Sequence, residues 1–401
     1  MHNHFDVLII GGGITGNASA LTLSQCGFRV GLISSEKPAV TTEQFDARIY
    51  ALSNASVELL KNLRVWDAVD ANRICAVNDM RIMGDATHGE AQQGVLHFNA
   101  YKAHQSELAW IVEQQNIQNA LIRAIQFSPN ITVITDAAIE LQVTANKVQI
   151  QTENAQILTA DLLIGSDGAQ SWVRQKSNIG TDIFDYAQNG IVANFTCAQA
   201  HHGCAYQWFL PDGAVLALLP LPQQRVSMVY SCGPQTTDEL LSLSAEELAQ
   251  NISVRSHQVL GELHADSNVR AQSFPLKRMR AHRFIGERTL LLGDAAHTVH
   301  PLAGQGLNLG LQDLACLRDL IMQRESFRTI YDSVLLRRYE RARVAATAQM
   351  QGVTHVLNRT FTHNHPAIRH ARNLGMNLLD IAPPLKRWLI KTAMGQGTQQ
   401  S

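Results

Sequence analysis

A short segment in the last third of the chain spaces small residues and a proline so that backbone alone can build the floor of a ligand site. In residues 288–313, Pro301 fixes φ and stiffens a turn, and Gly304, Gly306 and Gly310 follow it closely. Glycines at these positions remove side chains where a flat ring must lie close to the main chain. The spacing therefore predicts a surface on which a planar ring system rests.

The elements around this turn supply hydrogen bonds and charge. The apolar run Leu290–Leu292 predicts a buried strand, and Asp294 follows it, where a carboxylate can accept hydrogen bonds from the hydroxyls of a polyol or ribityl chain. A helix is predicted to open near Leu307, with free N–H groups and the positive end of its dipole at the ligand. Such a helix end stabilises the anionic edge of a reduced flavin.

The amino-terminal segment carries a second pattern that binds phosphate. Gly11, Gly13 and Gly16 form G-x-G-x-x-G within a predicted βαβ unit made of Phe5–Ile10, Ala18–Gln25 and Arg29–Ile33. The first glycine makes the tight turn, the second lets backbone approach a pyrophosphate, and the third lets the helix pack on the strand. The pattern predicts a bound dinucleotide, and it occurs once in the chain.

The acid expected on the adenosine ribose is not at its usual place. Counting from Gly11 puts Ser34 at the end of the second strand, and Glu36 follows two residues later. Either Glu36 reaches back to the ribose or Ser34 makes a weaker contact. A solvated Glu36 in the loop is equally compatible with the sequence.

Two further motifs carry a family resemblance that extends over nearly the whole chain. HPLAGQGLNLGLQD, residues 300–313, resembles the signature of the ubiquinone-biosynthesis flavin hydroxylases, which are single-component (group A) FAD monooxygenases. ADLLIGSDGAQSWVR, residues 160–174, resembles the DG motif of the same family, and Ser171 and Arg174 match the rest of that pattern.

The resemblance implies roles for individual residues in binding FAD. Arg48 is expected against the flavin and the pyrophosphate, since a guanidinium is a bidentate partner for phosphate. Gln114 is expected to face the cofactor, and the turn of Asp167 and Gly168 to lie behind the pyrophosphate. Near the flavin ring, the positions implied are Asp294, Gly304, Gln305, Gly306, Leu307 and Asn308.

The same resemblance implies the chemistry. NAD(P)H reduces FAD, O₂ forms a flavin C4a-hydroperoxide, and the distal oxygen attacks the electron-rich ring of a prenylated phenol or quinol in ubiquinone biosynthesis. Pro301 and the backbone of Gly304 are expected to line the reaction chamber, and His300 is a candidate to polarise a substrate hydroxyl. Three alternatives stay open: hydroxylation of a small soluble phenol, reduction of a prenyl double bond, and a non-hydroxylating flavin-binding subunit of a biosynthetic complex.

Composition bounds the compartment and the partners. The 401-residue chain has 45% hydrophobic and 17% charged residues, and its net charge of −1 argues against nucleic acid as a partner. Six scattered cysteines without a C-x-x-C pair predict reduced thiols in the cytoplasm. The start MHNHFDVLIIGGG lacks the features of a signal peptide, and no stretch reaches the roughly 18 apolar residues of a membrane span. We expect a cytoplasmic protein, with a position peripheral to the inner membrane as an alternative.

The order of predicted elements indicates the fold. Buried strands alternate with helices in the first third, whereas residues 190–232 predict antiparallel strands joined by Pro and Gly turns. We expect an α/β protein with a Rossmann-like FAD-binding domain, an inserted antiparallel-sheet substrate domain and a helical C-terminal tail, and the resemblance implies the p-hydroxybenzoate-hydroxylase-like form. The expected ranges are 1–76, 101–182 and 275–345 for the FAD-binding domain, 77–100 and 183–274 for the substrate domain, and 346–401 for the tail.

Other segments suggest sites or contacts of lower specificity. Phe209, Leu219 and Pro220 are candidates to line the substrate chamber and are equally typical of a sheet core. The predicted helix 385–394 is amphipathic and basic with a Trp, so it can lie on a membrane or dock on a partner such as another quinone-biosynthesis protein. Packing on its own domain or on a second copy is the favoured interpretation.

Two groups of histidines suggest metal binding at first sight. His297 and His300 are three residues apart, but both belong to the flavin motif and the sequence offers no Cys or acid that completes a ligand set. His201 and His202, which precede Cys204, are expected in a solvated loop. No metal is therefore predicted.

Replacing the small residue beneath the expected ring is predicted to prevent flavin binding. In Gly306→Val the new side chain occupies the space of the ring, so the purified variant is expected to contain little or no FAD by absorbance near 450 nm. Recovery of the variant with a full flavin content would contradict the placement of the ring.

Removing the expected ribityl contact is predicted to weaken the binding of FAD without preventing it. Asp294→Ala is expected to reduce the free energy of FAD binding by about 1–3 kcal/mol, because a polar partner is lost. Fluorescence titration of the apoprotein with FAD measures this, and a dissociation constant equal to that of the wild type would reject the role.

Overall fold

The structure is a computed structural model that describes residues 4–35, 45–84, 94–266, 270–299 and 305–362. Its strands fall into three sheets. In chain order the strands are β1 (His4–Ile10), β2 (Val30–Ile33), β3 (Ile49–Leu52), β4 (Ile74–Val77), β5 (Asp79–Met83), β6 (Val95–Asn99), β7 (Ala109–Glu113), β8 (Ile131–Ile134), β9 (Ala138–Val143), β10 (Val148–Thr152), β11 (Ile157–Gly165), β12 (Thr181–Cys197), β13 (Cys204–Phe209), β14 (Val215–Leu221), β15 (Arg225–Cys232), β16 (Leu263–Ala265), β17 (Gln272–Ala281), β18 (Ile285–Gly286), β19 (Thr289–Leu291) and β20 (His297–Thr298).

The helices flank these sheets, and short 3-10 turns join some of the elements. The α-helices are α1 (Ile14–Gln25), α2 (Asn54–Asn62), α3 (Gln114–Gln126), α4 (Trp172–Lys176), α5 (Pro234–Ser242), α6 (Ala245–Arg255), α7 (Gln305–Met322) and α8 (Ser333–Thr362). The 3-10 turns are Trp66–Ala68, Ala71–Arg73, Tyr101–Ala103 and Gly293–Ala295. None of the helices in the described residues combines the length and the apolar character needed to cross a bilayer.

The first sheet has eight strands and a parallel centre in the order β19-β11-β1-β2-β8. Its central strands are continuous apolar runs, and Leu8 and Ile9 of β1 are fully buried, as is typical of the centre of a parallel sheet. Helix α1 packs against α3 and α7. This arrangement brings the carboxyl ends of β1, β2, β11 and β19 to one edge, which is where ligands bind in open α/β sheets.

The second sheet has nine strands, and its main path runs β20-β17-β12-β15-β14-β13-β5-β6. Pairing is antiparallel except between β13 and β5. Alternate residues of β13, β14 and β15, such as Trp208, Leu216 and Tyr230, form a core with α5 and α6. The opposite face of the sheet is turned toward the first sheet, and a small third sheet, β3-β7-β4, lies beside it.

These features confirm the predicted fold class and its antiparallel second sheet. Strand β12 begins at Thr181 and β17 ends at Ala281, so both run through the expected domain boundaries at 182/183 and 274/275. The boundaries themselves stay a proposal. Helix α8 passes the expected start of the tail at residue 346, and the predicted helix 385–394 lies outside the described residues.

Two helix starts differ from the predictions. Helix α1 begins at Ile14 and not at Ala18, so Gly16 lies inside the helix and not in the turn. Helix α7 begins at Gln305, two residues before the predicted opening at Leu307. In α1 the glycine permits close packing against the carbonyl of Gly11, whereas Gly306 at the start of α7 lies beside the cavity.

One buried charged cluster joins the elements beside the strand edge. The Asp313 carboxylate accepts hydrogen bonds from Nε of Arg343 at 2.6 Å and from the backbone N–H of Gly293 at 3.0 Å, and it lies 2.7 Å from Nε2 of His297. All three side chains are buried. Burial alone raises the pKa of Asp313, but His297 and Arg343 together hold it below its ordinary value. The cluster therefore ties α7, α8 and the turn after β19 together.

Removing this carboxylate is predicted to destabilise the fold in a pH-dependent way. Asp313→Asn is expected to lower the free energy of unfolding by about 3–5 kcal/mol at neutral pH, because Arg343 remains buried without its counter-ion. The folded pKa of Asp313 is depressed, so its contribution is present above the unfolded value of about 4 and is lost as pH falls through the folded value.

Urea unfolding at several pH values tests this prediction. The stability difference between wild type and variant is expected to be constant above about pH 5 and to narrow below about pH 4. Asp319→Asn is the matched control, since that carboxylate lies in the same helix, pairs with Arg318 and is 44% exposed. If Asp313→Asn and the wild type were equally stable, or if their stability difference did not change with pH, the stabilising role of the Asp313 carboxylate would be contradicted.

Candidate active site

A cavity of about 960 Å³ lies between the first sheet and the open face of the second. Its first wall consists of turns that follow β1, β2, β11 and β19. Its second wall consists of side chains from the nine-stranded sheet, among them Val192, Ala217 and Val229. A single space thus connects a nucleotide-type strand edge with a largely apolar chamber.

The glycine turn after β1 has the geometry that its spacing predicted. Gly11 adopts φ +114°, and a Cβ on it would overlap the backbone of Ser166. Gly13 lines the cavity and has open space where a Cβ would be. Gly16 does not line the cavity; a Cβ there would collide with the carbonyl of Gly11, so this glycine serves close packing. The first N–H groups of α1 are left for a phosphate.

The position of the expected ribose contact is only partly described. Ser34 lines the cavity at the end of β2, where its backbone N–H donates to the carbonyl of Ile134 at 3.0 Å. A Cβ on Gly12 would overlap the Ser34 hydroxyl, so the side chain lies directly beside the glycine turn. Glu36 lies outside the described residues.

The aspartate of the DG turn stabilises the turn through hydrogen bonds to the residues that follow it. Asp167 accepts from the hydroxyl of Ser171 at 2.5 Å and from the N–H of Val173 at 3.1 Å, which caps helix α4. Gly168 adopts φ +81°, a conformation that glycine reaches at low cost. Both Asp167 and Gly168 line the cavity. The carboxylate itself stabilises the turn.

Arg174 connects this turn to the one after β19. Its guanidinium donates to the carbonyl of Ala295 at 2.8 Å and to that of Ala169 at 2.7 Å, and the side chain is buried. Two motifs separated by more than a hundred residues in the chain are thereby fixed relative to each other. The matching Arg in the DG pattern thus has a structural partner that the sequence did not identify.

A polar group stands on the cavity side of β3 and α3. Gln114 Oε1 accepts from Nη1 of Arg48 at 3.3 Å and from the Tyr50 hydroxyl at 3.2 Å. All three residues line the cavity. Burial raises the pKa of Tyr50 to about 12, so this hydroxyl remains protonated at neutral pH. Sequence reasoning named Arg48 and Gln114 but missed Tyr50, although it lies only two residues after Arg48.

Asp294 lies in the cavity close to this group. Its side chain is open toward the cavity and enclosed by protein elsewhere. Burial raises the pKa of this carboxyl, and the neighbouring His297 and Arg48 partly offset the effect. A carboxyl in such a place can accept hydrogen bonds from the hydroxyls of a ligand that fills the cavity.

The start of α7 divides into residues that face the cavity and residues that hold the helix. Gly306 and Leu307 line the cavity, and a Cβ on Gly306 would approach only Asp294 Oδ1, at 3.9 Å. Gln305 begins the helix. The expected catalytic residues His300, Pro301 and Gly304 lie outside the described residues.

Two expectations for this helix require correction. Asn308 is fully buried and does not line the cavity: its amide accepts from the N–H of Ser53 and the hydroxyl of Ser56, both at 2.8 Å, and donates to the carbonyl of Ala51 at 2.8 Å. Gly310 does not leave room for a ring either. A Cβ there would lie 3.1 Å from Thr15 Oγ1. Both positions serve packing between elements.

The predicted chamber residues are also only partly right. Leu219 lines the cavity. Pro220 does not, because successive residues of a strand point to opposite faces. Phe209 packs with Leu96 and Val215 instead. The cavity-facing residues of this sheet that sequence reasoning missed include Gln207 and Ser231, and the alternation of β13 and β15 was the signal that could have found them.

The histidines considered for metal binding have other partners. His201 is half-buried, with Nε2 2.8 Å from the carbonyl of Leu221 and Nδ1 accepting from the N–H of Gly203 at 3.1 Å. His297 contacts Asp313. In the described part of the chain, no cluster of three or more His, Cys, Asp or Glu side chains is arranged to hold a metal ion.

Comparison with known proteins relates this site to a family. Residues 4–354 match the model of the FAD binding domain family. The 3-demethoxyubiquinol 3-hydroxylase of Escherichia coli K12 is 34% identical over 97% of this chain and 98% of that protein. The ubiquinone hydroxylase UbiL of Rhodospirillum rubrum is 30% identical over 97% of this chain and 89% of that protein.

Solved structures share the fold. PqsL of Pseudomonas aeruginosa, in complex with 2-aminobenzoylacetate, superposes with a TM-score of 0.78 at 21% identity, covering 93% of this chain and all of PqsL. The p-nitrophenol 4-monooxygenase PnpA of Pseudomonas putida gives a TM-score of 0.78 at 19% identity, with both chains fully covered. The glycine turns, the cavity-facing carboxyl of Asp294 and the matched family together fit FAD. The chain therefore belongs to the ubiquinone-biosynthesis family of FAD-dependent hydroxylases and is an FAD-dependent aromatic-ring monooxygenase.

Proposed function

We propose that the protein hydroxylates the aromatic ring of a prenylated phenol or quinol intermediate on the route to ubiquinone, with NAD(P)H as a transient reductant. The observation that carries this proposal is the continuous cavity, which joins the nucleotide-type turns to an apolar chamber of the second sheet. The names of the Escherichia coli and Rhodospirillum rubrum relatives support a quinone-type substrate. When bound, FAD supplies the transfer of one oxygen atom from O₂ to the ring.

The chain's own residues have distinct tasks in this proposal. The glycine turn and the amino end of α1 bind the pyrophosphate, and Arg48 with Gln114 orients the cofactor at the opening of the chamber. Asp294 accepts from a ribityl hydroxyl. The backbone around Gly306 receives the ring, and His300, Pro301 and Gly304 remain proposed neighbours of the substrate.

The apolar part of the cavity provides the dry environment and the space for a tail. Met80, Phe98, Leu108 and Ile111 line one side of it, where β5 and β6 approach β7. Such a surface excludes water from the reaction and contacts the first isoprene units of a prenyl chain. Contacts with a membrane, with other quinone-biosynthesis proteins or with a second copy of the chain belong to the same proposal.

Purified holoenzyme is predicted to oxidise NADH or NADPH slowly alone and faster with a prenylated phenol. Mass spectrometry of the product is expected to find one added oxygen atom, and Gly306→Val supplies a flavin-poor control. The same ring without its prenyl chain is the substrate control. Equal stimulation by that short phenol would contradict the prenylated substrate, and stimulation without oxygen transfer would contradict hydroxylation.

Lipid extraction from cells that lack the protein extends this test to the natural substrate. A quinone pool without ubiquinone and with one accumulated prenylated intermediate is expected, and the structure of that intermediate identifies the ring carbon. A normal quinone pool would count against the proposed pathway.

A further inference from the structure

The cavity face of the second sheet is apolar apart from a few neutral polar side chains, and their placement follows from strand register. Gln207 of β13 pairs with Ala217 of β14, which pairs with Val229 of β15. Two residues along, Val215 of β14 pairs with Ser231 of β15. Gln207 and Ser231 therefore bracket a patch made of Val215, Ala217 and Val229, all of which line the cavity.

Both polar side chains are largely buried in the sheet, and both line this space. Gln207 is 7% exposed and Ser231 is 4% exposed. Among the described residues neither side chain has a hydrogen-bond partner, and both line the cavity. Unlike a polar group sealed inside the core, a polar side chain on the apolar wall of a cavity can reach a bound ligand, so the position of this pair indicates ligand recognition.

The spacing of the pair fits an aromatic ring. Strands about 4.8 Å apart and a rise of about 3.4 Å per residue place the two Cα atoms about 12 Å apart, diagonally across β14. Ala217 lies between them and has the smallest side chain of the patch. The Gln207 side chain is longer than the Ser231 side chain and spans part of this distance. The distance left between the Gln207 amide and the Ser231 hydroxyl is comparable to the width of a benzene ring with oxygen substituents.

Charge on the cavity wall defines the substrate further. The charged residues that line the described cavity are Arg48, Asp136, Asp167 and Asp294, and none of them is on the nine-stranded sheet. A carboxylate on the ring would thus be buried against this wall without a cation, which is unfavourable. The wall favours a neutral ring.

We propose that Gln207 and Ser231 bind the oxygen substituents of a neutral phenol or quinol ring that lies over Ala217, and that they set which ring carbon faces the flavin. The Gln207 amide both donates and accepts, so it suits a hydroxyl or a methoxy oxygen, and the Ser231 hydroxyl suits a second oxygen. The inference rests on the proposed function and adds to it the residues that select and orient the substrate.

Substitution of each polar side chain by an apolar one tests the inference on the FAD-loaded enzyme. Gln207→Leu and Ser231→Ala are each expected to lower kcat/KM for a prenylated phenol about five- to tenfold and to divert more of the NAD(P)H oxidised into hydrogen peroxide. FAD content is expected to stay at the wild-type level. A further comparison uses a substrate analogue without the ring oxygen that binds the substituted side chain. The wild type and that variant are expected to have equal kcat/KM for this analogue, because neither can form the hydrogen bond.

Two controls separate recognition from general effects on the sheet. Ser227→Ala changes a buried serine of the same strand whose hydroxyl has no partner and does not line the cavity, and Gln142→Leu makes the glutamine change on the exposed strand β9. Both are expected to keep wild-type kinetics and coupling. Wild-type kinetics in Gln207→Leu and Ser231→Ala, or an equal loss in Ser227→Ala, would overturn the inference. A wild-type enzyme inactive on every prenylated phenol would instead overturn the proposed function itself.

Discussion

The Asp313 carboxylate is the contact on which the geometry of the cofactor side depends. One of its oxygens meets the N–H of Gly293 and the ring of His297, and the other meets Arg343. Because Gly293 immediately precedes Asp294, this buried charge sets where the cavity-facing carboxyl stands. The same charge joins α7 and α8 to the strand edge. Three partners together offset the cost of burying an ion that would be unfavourable alone.

Around the cavity, some residues of each motif face the ligand space, and others hold neighbouring elements in place. Arg174 fixes the turn after β11 to the turn after β19 without facing the cavity. Asp167 lines the cavity but uses its carboxylate to cap α4. Asn308 lies in the motif that resembles the family signature, and its amide is fully used between α7, β3 and α2. A motif can therefore mark a site through residues that position it as well as through residues that touch the ligand.

The second sheet supplies the other half of the site because its two faces differ. Alternation places Trp208 and Tyr230 in a core against α5 and α6 and leaves Gln207, Ala217 and Val229 to the cavity. The core face gives rigidity, and the cavity face gives shape and a few polar groups. Chemistry that depends on a bound flavin requires this combination, since the cofactor reacts and the protein controls position and access of water.

The sequence by itself determined the features that arise from local steric requirements. A tight turn at Gly11, a helix packed against it at Gly16 and an open position at Gly13 follow from glycine spacing, and the structure has all three. The fold class followed from the order of apolar runs and from the family resemblance. Tertiary structure alone decided the partners that lie far apart in the chain, such as Ser53 with Asn308, which are 255 residues apart. It also decided that Gly310 serves packing and that Leu219, unlike Pro220, faces the cavity, because strand register and helix contacts form only when the whole chain packs.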